Sequence, residues 1–147
     1  MAIPHNPAPD SLELMRVIWA LDHALQSRSK AMTRTLGVTG PQRLVLRVVE
    51  QRPNVVSGEL AAYLHLHPST LTGVLQRLDE RGLITRTRDP DDARRMRLTL
   101  TAKGRRVLAK KSPSAEALVR AAIARERPRD VETAAEVLKR LTSALET

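Results

Sequence analysis

The chain has 147 residues and a formal net charge of +9, from 25 Lys and Arg against 16 Asp and Glu, with no cysteine. The missing thiols exclude disulfides, thiol nucleophiles, thiolate metal sites and thiol-oxidation sensing. No apolar run approaches the roughly 20 residues that a membrane-spanning helix needs. Residues 1–10 hold three of the nine prolines and read as an arm, not a helix. They lack the basic start and apolar block of a secretory signal, so a soluble, cytoplasmic protein is expected. Ser11 to about Leu36 reads as one helix. Ser11 is the expected cap, Glu13 favours the first turn, and Leu14, Ile18, Leu21 and Leu25 recur every three or four residues. At 1.5 Å per residue this is a rod of roughly 39 Å, long enough that part of its apolar surface is expected to meet another chain or another long helix.

Gly37 stops that helix and Thr39-Gly40-Pro41 starts the next. Gln42 to Arg52 is apolar almost all round and belongs in the core. Ser57 is expected to cap a short helix to Leu64. His65-Leu66-His67 is a tight turn, and Pro68 opens a helix to about Arg81 that Gly82 ends. Leu60, Ala61, Leu64, Leu66, Leu71, Val74, Leu75 and Leu78 form the apolar side of this helix-turn-helix. The period then changes from 3.6 to 2. Leu83–Arg88 and Arg95–Leu100 read as two strands around the turn cluster Asp89-Pro90-Asp91-Asp92, a β-hairpin wing. Thr101 caps a helix running towards Arg125, with a break expected at Ser112-Pro113-Ser114. A last helix runs from about Arg129 to Leu145. The expected fold class is mainly α with a small β-hairpin wing, that is, α+β.

The positive balance points to a phosphate-rich partner. Trp19 and Tyr63 are the only aromatic residues, too few for the stacking platforms that single strands or RNA require, so duplex DNA is favoured. An anionic membrane is the weaker reading, because no free basic amphipathic helix is flanked by Trp or Phe. Ser69, Thr72, Gly73 and Gln76 share one polar face, opposite Leu71, Val74, Leu75 and Leu78. Gln76 matches the N6/N7 edge of adenine, and Thr70 and Arg77 flank the face and suit phosphates. A merely solvated polar face is the bland reading. The wing gathers Arg86, Arg88, Arg94, Arg95 and Arg97. Arg95 and Arg97 fit sugar-phosphate contacts and exposed strand positions equally well. Charge alone does not locate the site, since residues 53–104 hold eight Lys or Arg against six Asp or Glu.

The run from Ser57 to Gly104 resembles the winged helix-turn-helix of the MarR family of transcription regulators. The likeness rests on Pro68-Ser69-Thr70-Leu71-Thr72, on Arg77-Leu78-Asp79-Glu80-Arg81-Gly82-Leu83-Ile84, and on Asp89-Pro90-x-Asp92-x-Arg94 followed by Leu98-Thr99-Leu100-Thr101-x-x-Gly104. The resemblance implies that Arg94 at the wing tip enters the narrow minor groove. It implies that Asp92 holds this Arg or the hairpin backbone, with plain turn chemistry as the alternative. It also implies a homodimer on a pseudopalindromic operator, with half-sites about 34–36 Å apart. The expected layout is an arm at 1–10, a dimerisation helix at 11–36, a DNA-binding lobe at 37–104, and C-terminal helices at 105–147 that link and dimerise. Family members usually repress, and release DNA when a phenolic or anionic small molecule binds; Arg16, Trp19, His23 and Arg47 are the residues that fit such a pocket, or fit ordinary core and surface positions. His65 and His67 read as turn and cap residues, since a metal site needs three or four ligands. No cofactor and no metal is expected. No catalytic arrangement of Ser, His and Asp, and no phosphate-cradling glycine loop, points to an enzyme. The competing class is a winged helix used for protein–protein assembly, which predicts a recognition face and wing tip bare of Arg.

Overall fold

The computed structural model describes residues 8–111 and 113–146. Residues 1–7 of the expected arm and Ser112 of the expected break lie outside them. The chain divides into two compact units, meeting between residues 112 and 113.

The first unit begins with α1 (Ser11–Leu36), whose cap is Asp10 and not Ser11: the Asp10 carboxylate accepts from the Glu13 N–H at 2.9 Å. A carboxylate there both satisfies an orphan N–H and complements the helix dipole. Gly37 ends α1 at φ 73°. Helix α2 (Gly40–Gln51) opens with a reciprocal capping box between Thr39 and Gln42, which satisfies two orphan groups at once. Val45, Leu46, Val48 and Val49 of α2 are buried. The expectation that α2 is apolar almost all round fails at two places: Leu44 is exposed, and Arg43 is buried. Arg43 donates to the carbonyls of Val107 and Leu108 at 3.3 and 3.2 Å. These carbonyls end α5 (Ala102–Ala109), where Val107 O also accepts from Lys110 N and Leu108 O from Arg47, and a cation there suits the dipole. The long apolar stem of Arg explains why it reaches that far from a core helix.

A strand unseen in the sequence, β1 (Val55–Val56), precedes α3 (Ser57–Leu64). Two residues are too few to show a period of 2. Val56 is therefore the N-cap residue of α3, with no side-chain cap bond, and Ser57 is the first helical residue. Helix α4 (Pro68–Glu80) follows the turn at His65, and Arg81 is its C-cap. The wing strands are β2 (Ile84–Arg88) and β3 (Met96–Leu100). The expected two-stranded hairpin is thus part of a three-stranded antiparallel sheet in the order β1-β3-β2, with Val55 opposite Leu98 and Ile84 opposite Leu100. Helix α2 packs against α1, α4, α5 and β3, and so forms the centre of this unit. Thr101 ties the sheet to α5: its hydroxyl donates to Gly82 O at 2.6 Å and accepts from Gly104 N at 3.0 Å. Gly104 lies so close to the Leu83 carbonyl that a Cβ there would overlap it.

In the second unit, Ser114 caps α6 (Ala115–Ile123), accepting from Ala117 N at 3.3 Å, and α7 (Pro128–Leu145) starts at its proline. The helix expected towards Arg125, with its break, is two helices: α5 ends at Ala109 and α6 starts at Ala115. No residue of α6 or α7 is buried.

Candidate nucleic-acid interface

Helix α4 forms where Pro68 presets its first turn and His67 caps it. The His67 Nδ1 accepts from Ser69 N at 3.2 Å and meets Ser69 Oγ at 2.7 Å. Leu71, Val74, Leu75 and Leu78 are buried, while Ser69, Thr70, Thr72, Gln76 and Arg77 are exposed and Gly73 is half-buried. The helix thus has one face in the core and one that stands in solvent as a connected polar strip. A Cβ at Gly73 would meet nothing within 4 Å, so the fold itself does not require glycine there. The polar side chains are held by their own chain: Thr72 Oγ1 donates to Pro68 O at 2.8 Å, and Gln76 Nε2 donates to Glu80 Oε1 at 3.0 Å.

The wing is organised by Asp89, a residue the sequence reading treated only as part of a turn. It is 8% exposed. Its Oδ1 accepts from Asp91 N at 2.8 Å and from Asp92 N at 3.3 Å, and its Oδ2 accepts from Arg97 Nε at 2.9 Å. The Asp91 N–H and then the Arg97 guanidinium hold this carboxyl below the usual aspartate range. The signal was present in Asp89-Pro90-Asp91-Asp92, but pattern does not say which of three aspartates turns inward. Asp92 accepts from Arg94, by Nε at 3.2 Å and by the backbone N–H at 3.0 Å. These bonds, the side-chain one first, hold its carboxyl low as well. The Arg94 side chain is 92% exposed and stands clear of the sheet.

Four wing arginines therefore have acidic partners. Arg94 meets Asp92, Arg97 meets Asp89, Arg86 meets Asp79 at 3.0 Å, and Arg95 meets Glu59 at 3.1 Å. The last pair ties the turn end of the wing, just before β3, to α3. Glu59, Asp79 and Glu80 were not singled out from the sequence as partners, because the contacts join separate elements or depend on which rotamer faces the groove.

The small-molecule candidates lie on two helices, Arg16, Trp19 and His23 on α1 and Arg47 on α2. Arg16 pairs with Glu13 at 2.6 Å, and Trp19 and His23 are exposed along α1. Arg47 bonds Glu50 at 3.0 Å and Leu108 O at 3.3 Å.

A family model described as "MarR family" matches residues 36–95. The chain is 35% identical over 116 residues to the HTH-type transcriptional repressor Rv2887 of Mycobacterium tuberculosis, covering 79% of this chain and 81% of that one. Among solved structures it is similar to the PcaV transcriptional regulator of Streptomyces coelicolor in complex with its natural ligand. There the TM-score is 0.70 at 25% identity, over 99% of each chain. The fold is also that of MepR of S. aureus in a DNA complex, with a TM-score of 0.71 at 17% identity over 88% of this chain and 96% of that one.

Proposed function

The chain belongs to the MarR family, a DNA-binding transcriptional regulator with a winged helix, and from that premise we propose that it acts as a homodimeric repressor of a pseudopalindromic operator. The observation that carries the reading is α4: a polar strip of exposed Ser69, Thr72 and Gln76 with half-buried Gly73, backed by an apolar face, together with the wing's Arg94, which is almost wholly exposed and held by Asp92. The strip enters the major groove, Thr70 and Arg77 bind phosphates beside it, and Arg94 enters the minor groove while Asp92 steers it. Arg95 adds a backbone contact when phosphate replaces Glu59.

The dimer is supported by α1, where Leu12, Trp19 and Leu21 are 74%, 65% and 48% exposed. Apolar surface of that extent along one helix marks an interface. Residues 11–36 and the C-terminal helices after 105 supply it, and 37–104 bind DNA. PcaV was crystallised with a natural ligand, and on that likeness a phenolic or anionic small molecule releases this chain from DNA, with Arg16, Trp19, His23 and Arg47 as the residues to probe. No helix among the described residues is long and apolar enough to cross a membrane, and the protein acts beside the chromosome, in the cytoplasm.

Selection of bound duplexes from a randomised pool, followed by footprinting, tests this. The expected result is a two-fold-symmetric site whose affinity falls steeply with salt. Arg94→Ala lowers that affinity about tenfold and cuts the salt slope by about one, without moving the thermal midpoint. An asymmetric site, or equal affinity for every duplex, overturns the reading.

A further inference from the structure

The amide of Gln76 donates from Nε2 to Glu80 Oε1 at 3.0 Å, one turn further along α4. An ionised carboxylate only accepts. The amide must therefore turn its NH2 side, not its carbonyl, towards Glu80. One N–H is then occupied, and the second N–H and Oε1 remain. That pair, a donor beside an acceptor, matches the major-groove edge of adenine, which accepts at N7 and donates from N6. Guanine accepts at both N7 and O6. With the amide so held, guanine can take only one hydrogen bond, from the free N–H; offering it both N–H groups leaves Oε1 against the Glu80 carboxylate.

Both side chains are exposed, and Gln76 shares its face with Ser69, Thr72 and Gly73. Glu80 lies one turn beyond, on the far side from the N-terminal turns that enter a groove first. We propose that Glu80 is a positioning residue for base readout, orienting the Gln76 amide so that each half-site is read as adenine and not guanine at one base pair. The proposal rests on the reading of α4 as the DNA-reading helix.

The test uses the full chain as wild type, Gln76→Ala, Glu80→Ala and Glu80→Gln. A site selected by the wild type is titrated with each of the four base pairs at every position. The wild type is expected to favour adenine over guanine at one symmetry-related position by about fivefold or more. Gln76→Ala abolishes that preference. Both Glu80 variants keep the rest of the site but bring the adenine-to-guanine ratio at that position to within about twofold of unity, since Gln at 80 both donates and accepts and tolerates either amide orientation. Loss of a negative charge raises affinity for all duplexes together, and the ratio is blind to that gain. A contact that only steadied the helix would shift the thermal midpoint and leave the ratio alone. An unchanged ratio in the Glu80 variants, or no position that depends on Gln76, overturns the proposal while the operator reading stands. A wild type that selects no site overturns both.

Discussion

Every buried apolar side chain among the described residues falls between Met32 and Leu108, whereas α1 before Met32 and all of α6 and α7 contain none. The two kinds of region look alike in the sequence: each carries apolar residues every three or four positions. Inside the lobe, α2 meets its neighbours and the stripe becomes a core. Along α1, Leu12 and Trp19 remain 74% and 65% exposed. Helical periodicity specifies that a face must be covered and leaves open whether the same chain covers it.

The contrast breaks most visibly on α1. If the proposed dimer forms on α1, replacing both exposed Leu21 and Leu25 by Asp removes apolar burial worth about 1.5–3 kcal/mol per side chain. The dimer dissociation constant then rises about a thousandfold or more, as read by sedimentation. Undiminished dimerisation would place the interface elsewhere. In the lobe the largest effect is expected at Gly104→Ala, which forces a methyl into the Leu83 carbonyl and Leu100 side chain. A loss of about 3 kcal/mol is expected from such overpacking, measured by urea unfolding; a shift below about 1 kcal/mol would mean that α5 gives way freely. Arg43→Met keeps the apolar stem but removes one donor each from the Val107 and Leu108 carbonyls, which keep Lys110 N–H and Arg47, with an expected loss of about 1 kcal/mol in urea unfolding.

The smallest effect is the pH response of the wing. The folded pKa of Asp89 lies below its unfolded value because Asp91 N–H and Arg97 stabilise the carboxylate. Its contribution is therefore complete above the unfolded value of about 3.9, and is lost as pH falls through the lower folded value. Asp89→Asn is expected to destabilise modestly at neutral pH, with the difference from wild type vanishing in acid. Urea midpoints across pH check this, and a pH-independent difference would assign the loss to packing and not to charge.

Most of the fold was legible because its signals are local. Gly37 and Gly82 stop α1 and follow α4, Pro41, Pro68 and Pro128 sit in first turns, and the change of period after Gly82 marks the sheet. The polar strip of α4 was legible for the same reason, since positions three and four apart on a helix share a face. Where local signals compete, adjacent residues are hard to tell apart: Asp10 takes the cap expected of Ser11, and Val56 the N-cap position expected of Ser57.

The sequence by itself determined the helices, the two hairpin strands and the side of α4 that faces solvent, because each depends on residues within a turn or two of one another; the run of motifs from Pro68 to Gly104 carried the family. Only the tertiary structure decided that β1 joins the wing through Leu98, that Arg43 reaches the end of α5, that Asp89 is the aspartate that turns inward to Arg97, and that Glu59 binds Arg95. Those contacts link residues up to 65 positions apart, and what brings such residues together is the packing of whole elements, which no short window of the chain contains.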